Sequence, residues 1–405
     1  MAQKKGKEFW SNFFSRNPNF GYITDEDKYL FSIEKPKYKF NVIGTGIMGM
    51  EHMRITAQEG RGAIHGIYDT SSFSLEKAKG MFSLHSPGSK LAEYKTLEEA
   101  CNDPEADALI ICTPNFSHID VVRVAAQSGK HILLEKPMAT TLKDAHEIME
   151  LAEHHKKVFQ LGLQYRYKAI YVEAIHEALE RKSVGDIKMI SILEHRVPFL
   201  DKVKQWNKFS KYSGGTLVEK CCHYFDLLNL FAQSRPVTVY ATGSQAVNFI
   251  NFEYKGEKSD ILDNAYVTVV YENGVRASFS LCMFSPMFYE EIMICGDGGR
   301  IKAYENEDFL PAERPKTHIE IMCGERKPSR ISTPTYPKHI EEGGHNGATY
   351  YEHIYFIDNM DGKKTTTATA KEAYWSVVVG AAAEESVKRG KIIYIDELLK
   401  ENGIS

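Results

Sequence analysis

Short apolar runs alternate with helix-period stretches through the first part of the chain. Runs over 40–43, 63–68, 108–112, 131–134 and 158–164 are apolar and partly β-branched, as strands buried on both faces require. Between them the pattern predicts helices over 48–59, stopped by Gly60, over 71–83, and over 117–128, closed by Gly129. Thr96-Leu97-Glu98-Glu99 is a capping box that opens a further short helix. Strand, helix, strand in repetition predicts a doubly wound parallel sheet, an α/β domain.

The period changes after a helix predicted over 168–181. From Asp186 strands follow one another, over 187–194, 237–247, 265–271 and 275–281, with a further turn at Gly296 to Gly299. Glu272-Asn273-Gly274 is a hairpin turn, so neighbouring strands run antiparallel. A second, α+β domain with an open, mostly antiparallel sheet is therefore expected. The boundary falls near residue 160, giving domains over 37–160 and 161–405, and a helix over 371–388 ends at Gly390, free to return to the first domain. Residues 1–36 are rich in aromatics, among them Trp10, Phe13, Phe14 and Tyr22. They read as an arm packed over its own chain or over a neighbouring subunit.

The first strand runs into Gly44-Thr45-Gly46-Ile47-Met48-Gly49, a G-x-G-x-x-G turn. Gly44 permits the sharp turn, Gly46 lets backbone N–H groups approach a pyrophosphate, and Gly49 lets the helix pack closely on the strand. Asp69 ends the second strand, where a carboxylate accepts from a ribose 2′-OH. No arginine follows in Thr70-Ser71-Ser72-Phe73, which favours NAD over NADP. The ends of later strands, Thr113-Pro114-Asn115 and Glu135-Lys136-Pro137, fall at the same sheet edge, the place for the nicotinamide half and for a lysine in a partly dry crevice.

These elements together carry a family resemblance. GTGIMG with Asp69, TPNFSH from Thr113 to His118, and EKP from Glu135 to Pro137 resemble the Gfo/Idh/MocA family, the glucose-fructose oxidoreductase and inositol dehydrogenase group, over about residues 38–390. The resemblance implies a Rossmann domain followed by an α/β domain whose sheet carries substrate site and oligomer contact. It also adds His118 to the cofactor set and brings Tyr165-Arg166-Tyr167 into the active-site cleft. Arg166 then reads either as a clamp on hydroxyls or the cofactor amide, or as a surface ion pair.

Gly214-Gly215-Thr216-Leu217-Val218-Glu219-Lys220-Cys221-Cys222-His223 resembles the family's Gly-Gly…acid-x-x-x-His segment, in which the histidine is the acid/base partner of the EKP lysine. Apolar positions from Leu217 to Leu230 predict one helix with Glu219 and His223 on a common face. Acid/base work, a structural pair, and a metal site with Cys222 compete; acid/base work is favoured and no metal is expected. Trp206 and Asn207, in a polar stretch just before, offer a flat wall and a donor–acceptor pair to a sugar ring, and a Trp there equally suits an interface. His345, in Gly343 to Gly347, is a further pocket candidate.

Composition narrows the field. The 405 residues are 43% hydrophobic and 26% charged, and a formal charge of -4 provides no field for nucleic acid or an anionic membrane. No apolar run approaches membrane-spanning length, and seven scattered cysteines without metal-type spacing suit reduced thiols in the cytoplasm. The expectation is an NAD-dependent dehydrogenase, a homo-oligomer (dimer, tetramer or hexamer) acting on a sugar, glycoside or polyol. The variant around EKCCH resembles bacterial members of the family that oxidise C3 of glucosides, with inositol dehydrogenation and NAD-dependent glycoside cleavage as rivals and a non-catalytic NAD-binding protein as the third.

Overall fold

A computed structural model describes residues 36–310 and 314–404. The aromatic arm falls almost wholly outside them. Six strands form a parallel sheet: β1 (Tyr38–Ile43), β2 (Gly62–Tyr68), β3 (Ala92–Glu93), β4 (Ala108–Ile111), β5 (His131–Glu135) and β6 (Phe159–Gly162), in the spatial order β3-β2-β1-β4-β5-β6. The order reverses between β1 and β4, which opens a crevice at their carboxyl ends. Phe40, Val42, Ile43, Leu109, Ile110, Leu133 and Leu134 are all inaccessible to solvent, because helices cover both faces. Asn41 is the polar exception in β1, and its Nδ2 donates to the Ala100 carbonyl at 2.8 Å.

Helices α1 (Ile47–Glu59), α2 (Ser72–His85), α3 (Leu97–Asn102), α4 (His118–Gln127) and α5 (Leu142–Glu153) connect these strands. Their ends follow the cap chemistry. Gly60 closes α1 in the left-handed region, Ser71 caps α2, and Thr96 with Glu99 forms the reciprocal box on α3.

A second sheet of nine strands follows. Its members are β7 (Ile187–His195), β8 (Pro236–Ser244), β9 (Asn264–Tyr271), β10 (Arg276–Cys282), β11 (Phe288–Gly296), β12 (Gly299–Glu307), β13 (Lys316–Cys323), β14 (Arg330–Ser332) and, after the C-terminal helix, β15 (Ile393–Tyr394). The order is β14-β13-β12-β11-β7-β10-β9-β8-β15, antiparallel throughout except where β7 lies parallel to β10. The hairpin at Glu272 to Gly274 joins β9 and β10, with Gly274 at φ +84°. Strand β8 stops three residues earlier than its apolar pattern predicts. The Asp263 carboxylate accepts from the amides of Ala246, Val247 and Asn248 and draws the chain off the sheet.

One face of this sheet is packed by α7 (Cys222–Ala232) and the long helix α9 (Ala370–Arg389), and the short α6 (Thr216–Glu219) lies against α9. Helix α9 also lies against α5, where Tyr374 meets His146 edge-on at 5.8 Å. Helix α8 (Ala348–Met360) rests on α1. The second sheet's helices thus close over the crevice of the first.

Candidate active site

The dinucleotide turn is built for close approach. Gly44 has φ +90°, and a Cβ there would meet the Cys112 carbonyl carbon at 2.6 Å. A Cβ on Gly49 would meet the Gly44 oxygen at 2.0 Å, so the helix can sit this close to β1 only without a side chain. At Gly46 a Cβ would meet nothing within 4 Å, and no side chain caps α1. The first amides of a 13-residue helix therefore face an open cradle, the arrangement that receives a phosphate.

Asp69, at the end of β2, shapes the next part of the crevice. Its carboxylate accepts from the Thr45 amide at 2.7 Å and the Ser71 amide at 2.8 Å, and it is partly open to solvent. Beyond β4, the hydroxyl of Thr113 and Nδ2 of Asn115 are buried without a partner among the described residues. Orphaned donors in a crevice mark where a ligand's polar atoms go. Cradle, carboxylate and orphaned donors fit NAD: Gly44 to Gly49 would receive the pyrophosphate, Asp69 the ribose diol, and Thr113 with Asn115 the nicotinamide half. His118 is buried and braces the edge instead, its Nδ1 2.9 Å from the Pro137 carbonyl oxygen and its Nε2 3.0 Å from that of Thr113.

Strand β5 delivers Glu135-Lys136-Pro137, with a cis bond before the proline. The Glu135 carboxylate accepts from the Lys136 amide at 3.0 Å and lies 2.9 Å from His52 Nε2. Lys136 Nζ reaches across to the second domain and donates to the Glu219 carbonyl at 3.3 Å. Burial works against its charge, but Glu219, the Cys222 thiol and Glu135 outweigh it, and the ammonium is held above the ordinary lysine range.

Glu219 and His223 do not share one continuous helix. The chain breaks at Lys220 and Cys221, ending α6 at Glu219 and starting α7 at Cys222. The Glu219 carboxylate turns to Lys202, which donates to it at 2.9 Å. Burial pushes that carboxyl up, yet Lys202, Lys136 and Lys220 together bring it down to about 2. His223 instead lies flat on Tyr165, centroids 3.9 Å apart, and its Nδ1 is buried without a partner among the described residues. Burial, then the charges of Lys136, Lys220, His345 and Lys168, drive its pKa well below the ordinary value and leave a neutral imidazole.

Residues 164–167 form a 3-10 turn, and three residues per turn decide which side chain faces the cleft. That residue is Tyr165, where the resemblance points to Arg166 and Tyr167. Its hydroxyl accepts from Lys220 Nζ at 2.6 Å, and Lys220 also pairs with Glu194 at 3.1 Å. Arg166 is turned away into a fork on Asp226, two bonds of 2.6 Å, with Glu372 at 3.3 Å. A guanidinium so engaged is not available as a hydroxyl clamp. The Tyr167 ring packs on Tyr355 at 5.2 Å.

Trp206 and Asn207 lie in a kinked stretch, Val203–Lys208, where Lys204 and Gln205 have φ +56°, and both are buried. The Trp206 ring carries Lys202 Nζ at 4.5 Å and meets Phe116 edge-on at 6.2 Å. Asn207 Nδ2 donates to the Leu200 carbonyl at 3.1 Å. His345 stands at the foot of α8 with Nδ1 2.8 Å from a Glu51 oxygen and its ring 6.3 Å from Tyr165. Lys202, Lys220, Tyr165 and Glu194 carry no motif of their own; only Lys220, a charge inside an apolar helical run, left a trace in the pattern.

No helix of the described residues is long and apolar enough to cross a membrane. Comparison with known proteins places the chain. A model of the oxidoreductase family with an NAD-binding Rossmann fold matches residues 38–163, and that family's C-terminal alpha/beta domain matches 176–395. The chain is 21% identical over 364 residues to the myo-inositol 2-dehydrogenase of Thermotoga maritima, covering 89% of this chain and 99% of that one. It is 23% identical over 290 residues to the inositol 2-dehydrogenase of Rhizobium meliloti, covering 71% and 79%. A levoglucosan dehydrogenase solved with NADH and levoglucosan superposes with a TM-score of 0.73 at 17% identity, over 88% of this chain and 99% of that one. With both of its family models matched over most of its length and a cradle that fits NAD, this chain belongs to the Gfo/Idh/MocA family of NAD-binding oxidoreductases.

Proposed function

We propose that this chain is a dehydrogenase of a secondary ring hydroxyl on a sugar, glycoside or cyclic polyol, with C3 of a glucoside the first candidate. The observation that carries the reading is that Lys136 Nζ reaches the Glu219 carbonyl at 3.3 Å, four residues before a His223 stacked on Tyr165 with its buried Nδ1 unpartnered among the described residues, the lysine held charged and the imidazole neutral. Removing a proton from an alcohol as hydride leaves needs a base that is unprotonated and a cation that stabilises the developing alkoxide. His223 takes the first role and Lys136 the second. Bound NAD supplies the hydride acceptor. Tyr165 holds the imidazole plane, and Trp206 with Lys202 walls the side where Glu219 sits.

An inositol is the second candidate, favoured by the inositol dehydrogenases among the relatives. A homo-oligomer fits the exposure of Met189, Tyr240 and Tyr266 on the uncovered face of the nine-stranded sheet, and light scattering on the eluting protein reads it. The test of function is absorbance at the NADH band with NAD and, separately, methyl glucoside, glucose and myo-inositol, with mass analysis of products. NADH formation with a product two hydrogens lighter, abolished in Lys136→Ala and His223→Ala, supports the dehydrogenase. Glycoside cleavage without NADH accumulation would replace it with a cleavage that has no net redox change.

A further inference from the structure

Next to Lys136 along the chain, at Glu135, three side chains from distant parts of the chain meet in the dry interior. His52 of α1 and Glu352 of α8 are wholly inaccessible, and Glu135 at the end of β5 is 4% exposed. One ligand atom from each lies within 4.8 Å of the other two. Neither carboxylate oxygen of Glu352 has a hydrogen-bond partner among the described residues. A carboxyl group buried without any donor is costly enough to need an explanation.

The hydrogens around His52 sharpen the point. The Thr56 hydroxyl donates its one proton to the His52 carbonyl at 2.8 Å, so towards His353 Nδ1, 3.5 Å away, it offers only lone pairs. His52 Nδ1 and His353 Nε2 lie 2.8 Å apart and share one proton, and with that proton on His52 the His353 Nε2 accepts. In that tautomer the His52 Nε2 lone pair faces the Glu135 oxygen at 2.9 Å, a contact that a cation between them makes favourable. Lone pair, carboxylate and unpartnered carboxylate all point into one space. A proton on Nε2 would serve Glu135 and leave Glu352 unsatisfied, whereas a single cation between them serves all three.

We propose that His52, Glu135 and Glu352 bind one divalent first-row transition-metal ion of the zinc or manganese class. One imidazole nitrogen with carboxylate oxygens is a borderline donor set suited to such ions, and two carboxylates balance the ion's charge in a low-dielectric site. The bond from His52 Nδ1 to His353 is the outer hydrogen bond that a metal-bound histidine ordinarily makes, fixing its tautomer. The ion ties the nucleotide-binding helix, the strand end that presents Lys136, and α8. It is a structural ion, apart from the proton chemistry proposed at Lys136 and His223.

The test is elemental analysis of the full-length protein, first as purified, then after stripping with a chelator and reloading separately with zinc, manganese and cobalt. The expected result is about one ion per chain, a cobalt form with visible ligand-field absorption, and a rise in thermal midpoint on reloading. Glu352→Gln keeps the shape of the side chain and is expected to weaken retention by about tenfold or more. Wild-type protein that holds none of the three metals after reloading, with its thermal midpoint unmoved by them, overturns the proposal and leaves protons as the occupants. The wild-type measurement decides the matter even where a variant does not fold.

Discussion

The imidazole of His223 lies 9° from parallel with the Tyr165 ring, at a centroid separation of 3.9 Å. The two rings belong to segments 58 positions apart in the chain, one in a 3-10 turn after β6 and one in the first turn of α7. Tyr165 is itself fixed at its far end by Lys220 at 2.6 Å. The proposed base, whose Nδ1 has no partner among the described residues, is thus oriented by stacking. Tyr165→Ala is expected to lower kcat by about 100-fold, because a base displaced by an ångström loses that much. Tyr165→Phe keeps the stack and is expected to lose far less. Equal losses in the two variants, measured by steady-state kinetics, would locate the contribution in the hydroxyl.

On the proposed mechanism, loss of His223 or Lys136 removes the proton acceptor or the cation beside it. His223→Ala and Lys136→Ala are each expected to reduce kcat by roughly 100- to 10,000-fold while NAD binding, read by fluorescence or calorimetry, persists. The pH profile carries a separate signature. Burial and the surrounding cations hold the His223 pKa well below 6.5, so the free enzyme keeps a neutral base through mildly acid conditions. The acid limb of kcat/KM is expected to fall below pH 6.5, where an ordinary histidine would place it.

Arg166 supports the fold by holding Asp226, with both partners almost fully buried. Breaking such a pair leaves a lone buried charge, and Arg166→Leu is expected to cost about 3–5 kcal/mol in chemical denaturation. Arg166→Leu with Asp226→Leu should recover much of that loss. A clamp on substrate predicts the opposite, a raised KM with stability unchanged.

Asp69 couples cofactor choice to loop shape. Its carboxylate organises the amides of Thr45 and Ser71, so Asp69→Ser is expected to raise the KM for NAD as well as to relax rejection of NADP. The readout is the ratio of kcat/KM for the two cofactors. A ratio unchanged from wild type would mean the acid does not face the ribose.

Where local pattern and fold agree, the sequence was sufficient. The apolar runs of β1, β4 and β5 are legible because strands buried on both faces leave no polar alternative, and the glycine turn and the capping box are local rules with local causes. The break at Lys220 and Cys221 was not legible, since apolar spacing from Leu217 to Leu230 is satisfied equally by one helix or two. Nor was the choice of Tyr165 over Arg166 and Tyr167. It depends on a 3-10 turn, and the partner that claims Arg166 lies 60 positions away at Asp226. His52, Glu135 and Glu352 have no mutual spacing to read, because only the packing of α8 on α1 brings them together.

Glu384 provides a test of electrostatics away from the chemistry. It sits on α9 and accepts from the Leu217 amide at 2.8 Å, against Gly215, where a Cβ would strike its carboxylate at 2.3 Å. Burial lifts its pKa to about 7, only partly offset by that amide, with Asp260 and Glu385 adding to the rise. Its folded value therefore stands above the unfolded one, so the folded state holds its proton more tightly. Below the ordinary carboxyl pKa both states are protonated and Glu384 costs nothing. As pH rises from there to about 7 the unfolded chain releases its proton first, and stability falls by about 3 kcal/mol before levelling off. Glu384→Gln keeps an oxygen for Leu217 and removes the ionisation. The variant should match wild type near pH 3.5 and exceed it at pH 8, by a few degrees in thermal midpoint. An equal difference at both pH values would trace the effect to packing against Gly215 instead of charge.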